Sequence, residues 1–313
     1  MTAPLPFGHH AIMLFPELSY ANDTQPRVKR WFIRSVEGLS GRDRYARLYD
    51  FWRREIVPTR DRVFGRMLPL IDVALRVDGA WPPRALPEGP LVIVANHPFG
   101  IGDGVAILSL AEQLGRPFRV MINADLLKIR EMEAYSLPVD FSETREALKN
   151  NLAVRHEALR LLKEGTTIVV FPAGGVATAP SAFGRAVDLP WKMFPARLVQ
   201  EARATVIPMH FAGQNGRLFH IVSRPMGLLD SDKKLKRFVG GVSLTLRTAL
   251  LIREFARLSG RSIDVRVGSP IPWTEMAPLE DRKALLGFLY RAVFSLGADR
   301  RGTDPALERP RAA

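Results

Sequence analysis

Apolar positions change their rhythm once along this chain. From Arg42 to Val77 they recur at helical spacing among arginines: Tyr45, Leu48, Tyr49, Phe51 and Trp52, then Val63, Met67, Leu70 and Ile71 after Pro58. The spacing predicts two amphipathic helices. Their apolar stripes have two uses, packing on a core or lying on an anionic bilayer beside Arg42, Arg47, Arg53 and Arg54. The Pro/Gly-rich stretch WPPRALPEGP then closes this region.

Beyond it, short apolar runs alternate with helical patterns. Strands are predicted at Leu91–Ala95, Phe118–Ile122, Thr167–Phe171, Val206–His210, Leu218–Val222 and Ile263–Val267, each bounded by turn formers. Helices are predicted over Gly104–Gly115, Glu143–Glu164, Pro190–Ala202, Ser243–Ser259 and Arg282–Leu296. This alternation indicates an α/β fold, a largely parallel central sheet flanked by helices, behind an N-terminal amphipathic helical segment. The organisation reads as an N-terminal extension (1–40), the amphipathic segment (41–80), a catalytic domain (81–275) and a C-terminal helix and tail (276–313). From Gly297 onward too little apolar content remains to pack, and disorder is expected.

Composition narrows the chemistry. With 313 residues, 47% of them hydrophobic, the chain can bury a sizeable core. It contains no cysteine, which excludes disulfides, Cys-ligated metals and thiol nucleophiles. The formal charge of +13 attracts acidic partners: nucleic acid, anionic lipid or an acidic carrier protein. No zinc-finger spacing, aromatic RNA-binding motif or basic heptad region is present, so nucleic acid ranks last. The first residues lack the basic-then-apolar pattern of a secretion signal, and the stretch MLPLIDVAL is too short and interrupted to span a bilayer. A peripheral protein on the cytoplasmic face of the inner membrane is expected.

The densest chemical signal is LVIVANHPFGIGDG, where an apolar strand runs straight into Asn96, His97, Pro98, two loop glycines and Asp103. Pro98 fixes its own φ, and Gly100 and Gly102 permit a tight turn that folds Asp103 back toward His97. A carboxylate there holds the imidazole tautomer and favours the imidazolium formed on proton abstraction. Alternatively His97 ends a strand and Asp103 caps the helix beginning near Gly104. Two further strands also open into glycine loops: TTIVVF into Pro172-Ala173-Gly174-Gly175, and TVIPMHF into Ala212-Gly213-Gln214-Asn215-Gly216.

Together these motifs, in this order, resemble the glycerolipid acyltransferase superfamily typified by 1-acylglycerol-3-phosphate acyltransferase. The resemblance covers about Gly89 to Pro272, and it is closer to the hemolysin-like branch that includes lyso-ornithine-lipid-type O-acyltransferases. The superfamily's first motif is Asn-His-x4-Asp, whereas Asn96-His97 and Asp103 are separated by five residues, a spacing similar to that branch. Phe171-Pro172-Ala173-Gly174 stands where the superfamily usually has Phe-Pro-Glu-Gly, so no glutamate role carries over. The motif that normally supplies an arginine for the acceptor phosphate matches Leu137-Pro138-Val139-Asp140-Phe141-Ser142, which offers serine; Arg145 and Arg119 are candidate replacements. The fourth motif, a proline ending an apolar strand, matches Val206-Ile207-Pro208, followed by Met209-His210-Phe211.

The resemblance implies transfer of a fatty acyl group from acyl-acyl carrier protein or acyl-CoA, as co-substrate, to a lysolipid hydroxyl, with His97 as general base and Asp103 as its partner. It implies substrate contacts from Asn96, Phe171, Pro172, Gly174, Gly175, Arg145 and Pro208, with the main-chain N–H groups around Gly174 and Gly175 as oxyanion donors. His210 reads as a packed strand residue rather than a second base. No metal and no bound cofactor are expected, since the histidines are scattered and no His-Glu-x-x-His occurs. Rival readings are a phosphatidate-forming enzyme, a lipid hydrolase, disfavoured by the lack of a Gly-x-Ser-x-Gly elbow, and a non-catalytic basic membrane-binding protein.

Overall fold

The computed structural model describes residues 15, 18–19, 21, 27–39, 42–123, 129–140, 144–181, 184–223, 250–279 and 281–298. In chain order the elements are helices α1 (Arg27–Leu39) and α2 (Arg42–Phe51), the short helix α3 (Met67–Leu70) and strand β1 (Val73–Asp78). Then follow β2 (Leu91–Ala95), α4 (Ile101–Glu112), β3 (Phe118–Asn123), β4 (Ser136–Val139), α5 (Arg145–Lys163), β5 (Thr167–Val170) and α6 (Phe194–Ala202). The chain continues with β6 (Thr205–Ala212), α7 (Arg217–Ser223), a helix described over 250–256 (α8), β7 (Arg261–Val267), α9 (Trp273–Met276) and α10 (Arg282–Ala298).

The strands form one seven-stranded sheet in the order β1-β7-β6-β2-β5-β3-β4. Every pairing is parallel except β6 with β7. The α/β, largely parallel architecture read from the sequence is what the chain adopts. Strand β2 is buried along its whole length, as a parallel strand covered on both faces must be. Its alternate residues supply separate cores: Leu91, Ile93 and Ala95 join Trp52, Phe64, Ile107 and Leu110 on one face, and Val92 and Val94 join Leu162, Leu198 and Leu289 on the other.

Several elements depart from the sequence reading, among them α1, which forms within the stretch read as an N-terminal extension. Val73–Asp78, read as the end of a helix, pairs in parallel with β7 from Val73↔Arg261 to Asp78↔Arg266. Residues 217–223, of which Leu218–Val222 read as a strand, form α7; Phe219, His220 and Ser223 are buried while Leu218 and Ile221 are exposed, a helical rather than alternating pattern. The edge strand β4 holds Pro138, and an edge tolerates the missing N–H. The predicted helix Ser243–Ser259 lies outside the described residues before Leu250, as do Ser142 and the tail beyond Ala298.

The aromatic stripe of α2 and the turn after it packs mainly on the core. Trp52 is buried and donates its indole N–H to the Val63 carbonyl at 2.8 Å, and Tyr45, Leu48 and Tyr49 pack beside it, leaving Phe51 exposed.

Candidate active site

Sheet order explains why three motifs distant in sequence meet. Strand β2 lies between β6 and β5, and all three run in the same direction. Their carboxyl ends therefore release the His97 loop, the Phe171–Gly175 loop and the Gly213–Gly216 loop side by side, the position where open α/β sheets gather ligands.

His97 follows β2 by two residues. Its Nδ1 lies 2.9 Å from Oδ1 of Asp103, with the imidazole 18% exposed and the carboxylate fully buried. The contact is close in distance but not turned into ideal hydrogen-bond alignment, a feature common in catalytic pairs before substrate binds. Oδ2 of Asp103 accepts the Phe99 N–H at 2.8 Å. Asp103 does not cap the helix, whose N-cap is Gly100; from inside the first turn of α4 it accepts the N–H just before that cap and stands beside His97. The helix N-terminus also favours its negative charge. Gly100 makes the turn with φ +79, and a Cβ there would meet Val176 and Leu251 side chains at 3.1 Å.

Asn96 is buried and bridges strands. Its Nδ2 donates to the Phe211 carbonyl at 2.9 Å, and its Oδ1 accepts the Phe211 N–H at 2.7 Å. Both ends of the amide are engaged by β6, so Asn96 fastens the strand end beneath His97. Pro208 is likewise structural. It is buried opposite Val94 in the sheet, and its carbonyl accepts the Gly268 N–H at 2.9 Å.

Phe171 does join the site, stacked on the His97 ring with centroids 4.1 Å apart and planes at 28°. The Pro172 carbonyl accepts the Lys192 N–H at 2.9 Å. Gly174 adopts φ +65 and donates its N–H to the Phe171 carbonyl at 3.0 Å. That N–H is therefore engaged in the turn. The Ala177 N–H donates to the His97 carbonyl at 2.8 Å and ties this loop to the base.

Arg145 is not brought to His97. It opens α5 after β4, at the sheet edge three strands from β2, and it is exposed. With strands about 4.8 Å apart, that is too far for one side chain to serve both places. Arg119 on β3 turns back to the Phe118 carbonyl at 3.0 Å.

His210, on β6, stands against Phe294 and opposite Arg266. Burial first, then the charge of Arg266, pushes its pKa down to about 4, so it is a neutral packed residue at physiological pH. Among the described residues no group of three or more His, Asp or Glu is arranged to hold a metal ion.

One residue at the site carried no signal in the sequence. Asp188 accepts the His97 main-chain N–H on Oδ1 at 3.3 Å and the Trp191 indole N–H on Oδ2 at 3.0 Å. The antiparallel bridge Thr178↔Val187 delivers it there. The only sequence trace is a carboxylate and a tryptophan three residues apart in DLPW.

Residues 80–212, which contain the His97 and Phe171–Gly175 loops and end with β6, match the family model described as Acyltransferase. Two curated relatives are both named lyso-glycine lipid O-acyltransferase. The protein of Phocaeicola vulgatus is 25% identical over 73% of this chain and 75% of its own length. That of Bacteroides thetaiotaomicron is 27% identical over 59% of this chain and 62% of its own. A solved structure, the 1-acyl-sn-glycerophosphate (LPA) acyltransferase PlsC from Thermotoga maritima, aligns over 88% of this chain and 96% of that one at 16% identity and TM-score 0.43. The chain is an acyltransferase. The family match and the two relatives support a kinship with the glycerolipid acyltransferase superfamily.

Proposed function

We propose that the chain moves a fatty acyl group from a thioester, acyl-acyl carrier protein or acyl-CoA, to the hydroxyl of a lysolipid whose headgroup is an amino acid, of the lyso-ornithine or lyso-glycine type. The observation that carries the chemistry is the His97–Asp103 pair, 2.9 Å apart at the end of β2. Asp103 at Nδ1 leaves Nε2 to take the proton of the acceptor hydroxyl. The hydroxyl oxygen attacks the thioester carbon, and the tetrahedral oxyanion forms beside the Gly175 N–H. The C–S bond then breaks, and the departing thiolate recovers the proton from His97. No acyl-enzyme and no bound cofactor is needed.

Two observations support the headgroup. The curated relatives carry the name of a lyso-glycine lipid enzyme, and neither Arg145, at the start of α5 beside the edge strand β4, nor Arg119 on β3 is directed at the base. A phosphomonoester headgroup would lose a strong charge-assisted contact in such a site.

The proposal includes peripheral attachment to an anionic membrane surface on the cytoplasmic side of the inner membrane. No helix among the described residues is long and apolar enough to cross a membrane. Trp31 is 69% exposed on α1, with Arg27 and Arg34 exposed on the same face.

The test offers lyso-ornithine lipid, lyso-glycine lipid and lysophosphatidic acid separately to the purified chain with one acyl donor, beside His97→Ala. Preference for an amino-acid lysolipid and no turnover by a folded His97→Ala variant are expected. Preference for lysophosphatidic acid would return the chain to the phosphatidate-forming group, and normal turnover by His97→Ala would remove the base.

A further inference from the structure

The His97–Asp103 pair has a neighbour that neither the motif order nor the pairing of strands foretells. Both oxygens of Asp188 are held, one by the His97 main-chain N–H at 3.3 Å and one by the Trp191 indole N–H at 3.0 Å. A carboxylate fixed by the main chain of a residue cannot move independently of it. Trp191 is itself seated against Tyr290 and Phe294 of α10, with centroids 5.2 and 6.1 Å away. The C-terminal helix is thereby coupled through Trp191 and Asp188 to the backbone of His97.

We propose that Asp188 is a positioning residue for acyl transfer: it pins the main chain at His97 and places a second negative charge beside the imidazolium that forms there. This rests on His97 being the general base. Among the described residues, three ionisable groups are traced at the pair. Asp103 faces His97 from the first turn of α4, Asp188 from the stretch after the Thr178↔Val187 bridge, and Tyr290 faces Asp188 from α10. Burial pushes the Asp188 carboxyl up from its ordinary range, the Trp191 N–H, the His97 N–H and the imidazole oppose that rise, and the Asp103 charge adds to it. The carboxylate therefore gains from a positive imidazolium, and the imidazolium gains equally from the carboxylate. The Phe171 ring on His97 leaves less room for water to screen this interaction.

The experiment uses the full chain and two variants that leave the outline of the site in place. Asp188→Asn keeps an oxygen able to accept a hydrogen bond but removes the charge. Trp191→Phe keeps an apolar ring but removes the N–H that holds Oδ2. Carbon-13 labelling of the histidines follows each imidazole through a pH titration without any substrate, and the His97 signal is identified by its loss in His97→Gln. Removing a stabilising negative charge makes the imidazolium less favourable, so the His97 pKa falls. In Asp188→Asn it is expected to drop by on the order of one unit, and in Trp191→Phe by less in the same direction. With palmitoyl-CoA and the lysolipid that the head-to-head assay selects, kcat falls roughly tenfold in Asp188→Asn, with KM within about twofold and the acid limb of the kcat profile moved to lower pH. A purely structural role would lower thermal stability and leave the titration and the acid limb in place. An unmoved His97 titration, an unchanged kcat or an effect confined to KM overturns the inference. If Asp188→Asn does not fold, Trp191→Phe decides by the same readouts. Full turnover by His97→Ala would instead defeat the base assignment, an outcome separate from the Asp188 titration.

Discussion

Phe171 lies flat on His97, ring centroids 4.1 Å apart. The two residues come from the ends of adjacent parallel strands, so the stack fixes one loop against the other and limits how far the imidazole can turn. Phe171→Leu keeps apolar bulk but loses the flat face. An aromatic stack is worth about 1 kcal/mol, which corresponds to roughly fivefold in rate if all of it orients the base. Steady-state assay of the variant should show a kcat loss of that order with little change in melting temperature. A normal kcat would make Phe171 a wall without influence on the base.

Asn96 makes a different prediction, because it acts on stability. Asn96→Ala leaves the N–H and carbonyl of Phe211 unpaired in a region where Phe211 is fully buried. Stranding two buried main-chain groups costs roughly 2–4 kcal/mol. Urea denaturation should show the midpoint falling accordingly. A loss of activity without that drop would instead point to a direct substrate contact by Asn96.

The parts of this fold legible in the sequence are those decided locally. LVIVA is wholly apolar and bounded by Pro90 and Asn96, so β2 and the position of His97 at its end could be read directly. The order of three glycine-bearing strand ends could be read too, although their adjacency depends on β2 lying between β5 and β6. Long-range contacts decided the rest. Val73 and Val77 fit a helical repeat with Leu70, and only pairing with β7, distant in sequence, makes them a strand. The short apolar run at Leu218–Val222 has no period long enough to separate strand from helix; it becomes helix where Gly216 donates its N–H to buried Glu254 at 2.6 Å and His220 accepts the Ala179 N–H at 3.2 Å. Asp188 reaches His97 through a bridge and an indole bond, neither of which leaves a periodic trace.

His210 carries a pH prediction whose sign follows from burial. Its folded pKa of about 4 lies below the ordinary 6.5. Between those values the unfolded chain binds the extra proton and the folded chain resists it, so this residue's contribution to stability is full above pH 6.5 and is lost as pH falls toward 4. The loss amounts to roughly 3 kcal/mol at most. Buried carboxyls such as Asp188 and Glu112, whose pKa values are raised by burial, act in the opposite direction as pH falls. The comparison that isolates His210 is therefore wild type against His210→Gln, each denatured at pH 7.5 and pH 5. The variant should lose less stability over that interval. Equal losses would show that His210 is hydrated and titrates normally.

The exposed face of α1 leads to the prediction about membranes. Arg27, Trp31 and Arg34 are spaced four and three residues apart and are exposed, while Ile33 on the opposite side is buried. The helix is therefore held to the protein by one face and presents an indole between two guanidinium groups on the other. Tryptophan favours the headgroup region, and each arginine near an anionic surface contributes about 1 kcal/mol. Binding to phosphatidylglycerol-containing vesicles should exceed binding to phosphatidylcholine vesicles and should weaken as salt rises. The double substitution of Arg27 and Arg34 by alanine should lower affinity for the anionic vesicles by on the order of tenfold or more, with a shallower salt dependence. Trp31→Ala should reduce binding to both kinds of vesicle, because the indole contributes apolar burial rather than charge. Cosedimentation of the full chain and the variants with vesicles of each composition checks this. Equal binding of the wild-type chain to both compositions would remove the electrostatic part, and unchanged binding of all variants would move the contact away from α1.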